Sequence, residues 1–223
     1  MNLSSHSLYT LSRVTLKTKT NKIVKLLKDK YGHVECYLTH KNEFELLVAV
    51  ILSAQCTDDR VNLTTPSLFK AFPNPAKLSK AKLSQVEKLI KSCGFYKNKA
   101  KNLIGMAQRL MSHHEGKVPD DIKSLTDLPG VGRKTANVVL GNWFGKSAGV
   151  VVDTHVKRIT NLLGLTKNKE PEKIEQDLNN IVPKEDWDQF SLWLIAHGRE
   201  TCIARRAQCV SCMLASHCDS AAA

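Results

Sequence analysis

The string Leu128-Pro129-Gly130-Val131-Gly132-Arg133-Lys134-Thr135-Ala136-Asn137 restricts the folds open to this chain more than any other stretch. Two glycines bracket one small apolar residue, so the backbone can reverse tightly at positive φ with no side chain between it and a partner. The segment 133–144 then carries Ala136, Val139, Leu140 and Phe144 at helical spacing. Ahead of the turn, Ser124-Leu125-Thr126-Asp127 fits the S-x-x-D capping pattern and predicts a short helix leading in. Helix, tight turn, helix leaves the turn amides and the first amides of the second helix pointing outward as an anion cradle. Such a cradle grips a nucleic-acid phosphate without reading base sequence. A lone G-x-G is an ordinary turn. The whole string, with Lys134 two residues past the second glycine, is far more specific.

Charge agrees with that partner. Lysine and arginine number 33 against 21 acidic residues, a formal net charge of +12 spread over 223 residues. The balance favours a polyanion, commonly DNA or RNA. No apolar run approaches the ~20 residues of a membrane span, so no membrane association is expected. The first 28 residues contain Arg13, Lys17, Lys19, Lys22, Lys25 and Lys28 and no acid, a composition like that of an organelle transit peptide. A helical pattern starting at Ile23 leaves little to cleave.

Periodicity predicts an all-α chain of nine or ten helices. The expected segments are 19–31, 43–55, 58–72 (interrupted before Pro66), 79–92, 98–113, the hairpin unit, 154–163, 170–182 and 185–197. Pro73 and Pro75 predict a loop. Val150-Val151-Val152 is the only strand-like run and is too short for a sheet.

Three features carry chemistry. Lys134 sits in the first turn of a helix beside Arg133, with Lys157 and Arg158 as further candidate neighbours. Positive neighbours and the helix N-terminus disfavour a charged amine and favour a nucleophile. A phosphate-contacting lysine is the alternative. Asp153, following the apolar valines, reads as a helix N-cap whose carboxylate the valines would desolvate into a better base. Finally, Cys202, Cys209, Cys212 and Cys218 follow C-x6-C-x2-C-x5-C. Four thiolates so close need a cation or cluster among them and imply a reducing compartment. Structural zinc usually takes two C-x2-C pairs. One pair with wider loops suits a cubane iron–sulfur cluster. Arg205 and Arg206 lie between the first two cysteines and read as a second phosphate grip or a solvated loop. Cys36, Cys56 and Cys93 are scattered and are expected as small buried hydrophobes.

Together, Leu52-Ser53-Ala54-Gln55, Leu128 to Val139, Val152-Asp153-Thr154-His155, His197-Gly198-Arg199 and the cysteine spacing resemble the endonuclease III family of the helix-hairpin-helix DNA glycosylase superfamily. The resemblance runs from about Ile23 to Cys218. It implies two helical domains: a six-helix barrel, 36–147, with the helix-hairpin-helix at 124–144, and an iron–sulfur domain from 1–35 and 148–223. DNA would cross the cleft between them. It further implies a bifunctional glycosylase and AP lyase acting as a monomer on damaged double-stranded DNA, with Lys134 as nucleophile, Asp153 as its acid/base partner and a 4Fe–4S cluster on the four cysteines. Gln55 matches the residue that fills the gap left by a flipped nucleotide. Phe95 stands at the second wedge position, where bacterial members commonly carry leucine, and Cys56 replaces a commoner alanine. The expected substrate is an oxidised or ring-saturated pyrimidine, and the expected setting is a bacterial cytoplasm at the nucleoid. The alternatives are a mismatch-specific glycosylase of the same superfamily and a non-catalytic, zinc-containing DNA adaptor.

Overall fold

The computed structural model describes the backbone of residues 5–221 and the side chains of residues 15–221. Arg13, part of the transit-peptide composition, lies outside the described side chains. Among the described residues there is no strand, and no helix is long and apolar enough to cross a membrane. The chain divides into two compact units, Cys36–Ala148 and a second formed by Met1–Glu35 with Gly149–Ala223.

The Cys36–Ala148 unit is organised on α2 (Glu43–Ser53), whose Leu46 to Leu52 are all buried. A helix apolar on every side must lie inside its unit. Asn42 starts it by accepting the Glu45 amide at 2.8 Å. Around α2 stand α3 (Asp58–Ala71), α6 (Tyr96–His113) and α8 (Arg133–Asn142). The shorter α4 (Pro75–Leu78), α5 (Leu83–Leu89) and α7 (Ile122–Thr126) close the unit; α4 and α5 pack on α6, and α7 packs on α8.

The second unit packs α1 (Ser5–Tyr31), α9 (Thr154–Leu162), α10 (Pro171–Ile181) and α11 (Trp187–Glu200) on a core that includes Ile23, Leu27, Val156, Ile159, Leu178, Phe190 and Trp193. The Trp193 indole donates to the Gly32 carbonyl at 2.7 Å, tying α11 to the end of α1.

Several expectations are corrected. Helix α3 runs unbroken through Pro66. Val61, Thr64, Thr65 and Leu68 are buried on both sides of the exposed proline, and that packing outweighs one missing backbone donor. The stretch 79–92 holds only α5, and the expected loop at Pro75 begins α4, with Asn74 accepting the Lys77 amide at 3.0 Å. Proline suits a first helical position because its missing N–H would have no partner there. The helix before the hairpin is capped by Asp121, which accepts the Ser124 amide at 2.9 Å; Ser124 is no N-cap and Asp127 is the C-cap. Ala148 belongs with the first unit, where it packs against the core. The described residues form eleven α-helices rather than nine or ten, the excess being single-turn pieces.

Candidate nucleic-acid interface and cysteine pocket

The hairpin is held from below and open above. Leu128 and Val131 are buried in the core, and the Val131 amide donates to the Leu128 carbonyl at 3.0 Å. With its side chain buried and its amide donating to Leu128, Val131 shapes the turn rather than presenting either group to a partner. Gly130 has φ +80, and a Cβ there would come within 2.8 Å of Asn102 Cβ on α6. Both its conformation and its closeness to α6 demand glycine. Gly132 differs: at φ −86 and ψ 174 it is extended, nothing lies within 4 Å of a Cβ, and only one glycine of the pair is left-handed. Gly132 is the N-cap of α8, with no side-chain cap hydrogen bond, and Gly130, Gly132, Arg133 and Lys134 are all exposed. The start of α8 thus presents amides, Arg133 and the Lys134 amine on one short stretch.

Gln55 and Phe95 sit on adjoining turns of the same unit. Both are left-handed, with φ of 53 and 58, and both are exposed, Phe95 by 65%. An ideal Cβ on Gly94 would stand 3.4 Å from the Gln55 carbonyl oxygen, so the two turns touch. Two bulky side chains held out at positive φ are strained features, and such strain clusters at functional positions.

Asp153 is the N-cap of α9: one carboxylate oxygen accepts the Val156 amide at 2.8 Å, and the other lies 3.0 Å from His155 Nδ1. The preceding Val150, Val151 and Val152 are buried. His155 leans against α11, where a Cβ at Gly198 would come within 2.8 Å of its ring. That close crossing of α9 and α11 accounts for the glycine in His197-Gly198-Arg199. Arg158 donates to the Cys202 carbonyl at 2.6 Å and reaches its Sγ at 3.5 Å.

All four clustered cysteines line one cavity of about 190 Å³, walled otherwise by side chains such as Ile159, Leu162 and Leu214. Burial pushes the Cys202 and Cys212 thiols up, against the lowering effect of Arg158 on Cys202. As thiolates they need a positive group at the centre. Among the described residues no three His, Cys, Asp or Glu side chains are placed to hold a single metal ion. Four thiols lining one cavity are a donor set that fits an iron–sulfur cluster. His197 backs the site, its Nε2 3.6 Å from Cys212 Sγ and its Nδ1 3.3 Å from the Tyr31 hydroxyl. Burial, and then the charge of Lys30, lower its pKa to about 4, which keeps the ring neutral. Arg205 and Arg206 are exposed on the cysteine loop, Arg205 at φ 65. Of the scattered cysteines, Cys93 is buried, whereas Cys36 and Cys56 are only partly so.

Sequence reasoning missed Lys99 altogether, and it missed that Arg158 and His197 stand against the cysteines. For Lys99 a signal existed: the buried face of α6 runs Lys99, Leu103, Met106, Leu110, so the apolar stripe counted back one step lands on a lysine. For Arg158 and His197 the contact with a cysteine had no sequence signal, since it joins residues 44 and 15 positions apart.

A tight turn leading into a glycine-capped helix, with an exposed lysine beside it, defines a helix-hairpin-helix unit. Residues 48–184 match the family described as "HhH-GPD superfamily base excision DNA repair protein". The chain is 47% identical over 207 residues to endonuclease III of Synechocystis sp., covering 93% of this chain and 94% of that relative. It is 41% identical over 203 residues to endonuclease III of Escherichia coli K12, covering 91% and 96%. A solved structure of a trapped endonuclease III–DNA covalent intermediate, an estranged-adenine complex, matches with TM-score 0.87 at 39% identity, covering 92% of this chain and 97% of that one. The chain belongs to the endonuclease III family and is a base excision DNA repair enzyme.

Proposed function

We propose that this protein is a bifunctional DNA glycosylase and AP lyase that removes oxidised or ring-saturated pyrimidines from double-stranded DNA and cuts the strand 3′ to the abasic site. The observation that carries the reading is the exposed Lys134 in the first turn of α8, two residues past an N-cap without a side chain. The amides of Gly130 and Gly132 and the start of α8 take a backbone phosphate, with Arg133 beside them. Gln55 and Phe95 enter the stack as the damaged nucleotide turns out.

The Lys134 amine, once deprotonated, places its lone pair on the sugar C1′. The C1′–N bond breaks, and its electrons leave with the base, which takes up a proton. Asp153 is the acid/base partner and accepts the proton released by the amine. Opening of the sugar ring gives an imine. Loss of a proton from C2′ forms the C2′–C3′ double bond, and the C3′–O bond breaks with departure of the 3′ phosphate. Water then hydrolyses the imine and frees the lysine. An amine nucleophile explains strand cleavage, because a water activated by a carboxylate would release the base alone.

Cys202, Cys209, Cys212 and Cys218 would hold a 4Fe–4S cluster, as their shared cavity and donor chemistry support. Such a cluster supplies metal–thiolate bonds that cross-link the 202–218 loop, leaving Arg205 and Arg206 as a second phosphate grip. The protein acts as a monomer at the nucleoid of a bacterial cytoplasm, a reading supported by its similarity to bacterial endonuclease III proteins.

Borohydride reduction in the presence of abasic DNA tests the central step. The parent protein should become covalently joined to the strand, and Lys134→Ala should give no adduct. An adduct of undiminished yield in Lys134→Ala would remove the assigned nucleophile. Iron and sulfide analysis with visible absorption separates the cluster from zinc.

A further inference from the structure

One charged side chain lies inside the Cys36–Ala148 unit with no chemistry assigned to it. Lys99, in the first turn of α6, is 5% exposed, and among the described residues the charged or titratable groups acting on it are the thiols of Cys56 and Cys93 rather than a carboxylate. Its Nζ donates to the Leu52 carbonyl at 2.7 Å. Burying an ammonium is costly, and a methionine of similar length would pack at that position without the cost.

The place it occupies gives the reason. Leu52 lies in the last turn of α2, where carbonyls have no intrahelical donor and the helix dipole is negative. The chain then turns at once: the Cys56 amide closes on the Ser53 carbonyl at 3.0 Å, with Gln55 left-handed at the apex. The Lys99 backbone amide donates at 3.1 Å to the carbonyl of Phe95, the left-handed N-cap of α6. One residue thus binds the base of both exposed turns, its side chain under Gln55 and its main chain under Phe95. The turns also abut directly at Gly94.

We propose that Lys99 is the positioning residue of the DNA wedge, its buried ammonium pinning the end of α2 to the start of α6 so that Gln55 and Phe95 enter the duplex as a fixed pair. Burial lowers the Lys99 pKa, while the thiols of Cys56 and Cys93 act in the opposite sense and favour the charged form. The inference rests on the wedge role proposed above for Gln55 and Phe95. A wedge is needed to open a duplex and not to cut a strand that is already single, and that difference supplies the assay.

The quantity to measure is the ratio of two rates: release of a ring-saturated pyrimidine from a duplex, and cleavage at a pre-formed abasic site in a single-stranded oligonucleotide. Lys99→Met deletes the donor and should lower that ratio by about tenfold or more, the usual weight of a charged hydrogen bond. Lys99→Gln keeps a neutral N–H donor and should lower it by only about threefold. A partial rescue of this kind is not expected from loss of packing alone. If Lys99→Met does not fold, Lys99→Gln decides, because a parallel loss of both rates, or no change in their ratio, overturns the proposal for either variant. Gln55→Ala separates the two levels. Should it leave the ratio at the parent value, the wedge reading fails and takes this inference with it. Should it lower the ratio while the Lys99 variants do not, the positioning role alone is wrong.

Discussion

Two helix starts carry the proposed chemistry, and they are built in opposite ways. Helix α9 closes its own N-terminus, with Asp153 accepting the Val156 amide at 2.8 Å. Helix α8 begins at Gly132 with no side-chain cap. An intramolecular carboxylate on α9 satisfies what an external phosphate would satisfy on α8. The same four-amide problem therefore has a side-chain answer on α9 and no capping side chain on α8. The reactive group differs too, an amine on Lys134 two residues past the cap of α8 and a carboxylate on Asp153, which is itself the cap of α9.

The largest effect separates capping from chemistry at Asp153. Asparagine caps about as well as aspartate, so Asp153→Asn should change stability by no more than ~0.5 kcal/mol. It cannot take up a proton, and base release should fall by roughly 10²- to 10⁴-fold. Thermal melting beside single-turnover kinetics checks both halves. A melting temperature that drops with activity intact would reduce Asp153 to a cap.

Next comes the hairpin. Gly130→Ala forces a side chain into φ +80 and to within 2.8 Å of Asn102 Cβ, and should cost about 2 kcal/mol or more. That is a fall in melting temperature of roughly 4–8 °C for a chain of this length. An unchanged melting curve would mean that the hairpin can lift away from α6.

Much of the fold and the site is legible in the sequence, and the failures are physical. Asp153 is legible as a cap because the polar residue, the valines before it and the periodic helix after it all agree. The hairpin is legible because the glycine pair and the helix that follows are local. The S-x-x-D match at 124–127 misleads because Asp121 offers a carboxylate three residues earlier, and the helix that buries Leu125 starts there. Pro66 misleads because a propensity is outvoted by burial on both sides of it. The stripe of α6 reports that Lys99 is buried, but its partner is a backbone carbonyl 47 residues away, which no periodicity reports. The four cysteines are visible as a spacing, whereas Arg158 beside Cys202 comes from another helix and exists only in the fold.

A smaller effect belongs to the cysteine loop. Arg205→Asn with Arg206→Gln removes two charges, asparagine being chosen because it tolerates the φ of 65 at that position. If both arginines meet phosphates, the slope of log affinity against log salt should flatten by about 0.9 for each phosphate no longer neutralised. Binding should weaken alike on all sequences. An unaltered slope would leave the two arginines as solvated surface.

The smallest change tests the difference between the two helix starts most directly. Gly132 is extended, and a Cβ there meets nothing within 4 Å, so Gly132→Ser fits without strain. A serine hydroxyl would accept a first-turn amide of α8, as Asp153 does on α9, and should stabilise the fold by a few tenths of a kcal/mol, about the usual difference between serine and glycine at an N-cap. The same hydroxyl would take an amide from the incoming phosphate and crowd its approach. Stability should therefore rise slightly while affinity for duplex DNA falls by several-fold, a hydrogen bond's worth. Opposite signs from one substitution are what a start kept open for a phosphate requires. A variant that gains stability and binds DNA as tightly as the parent would show that α8 and α9 begin differently for reasons unrelated to the phosphate.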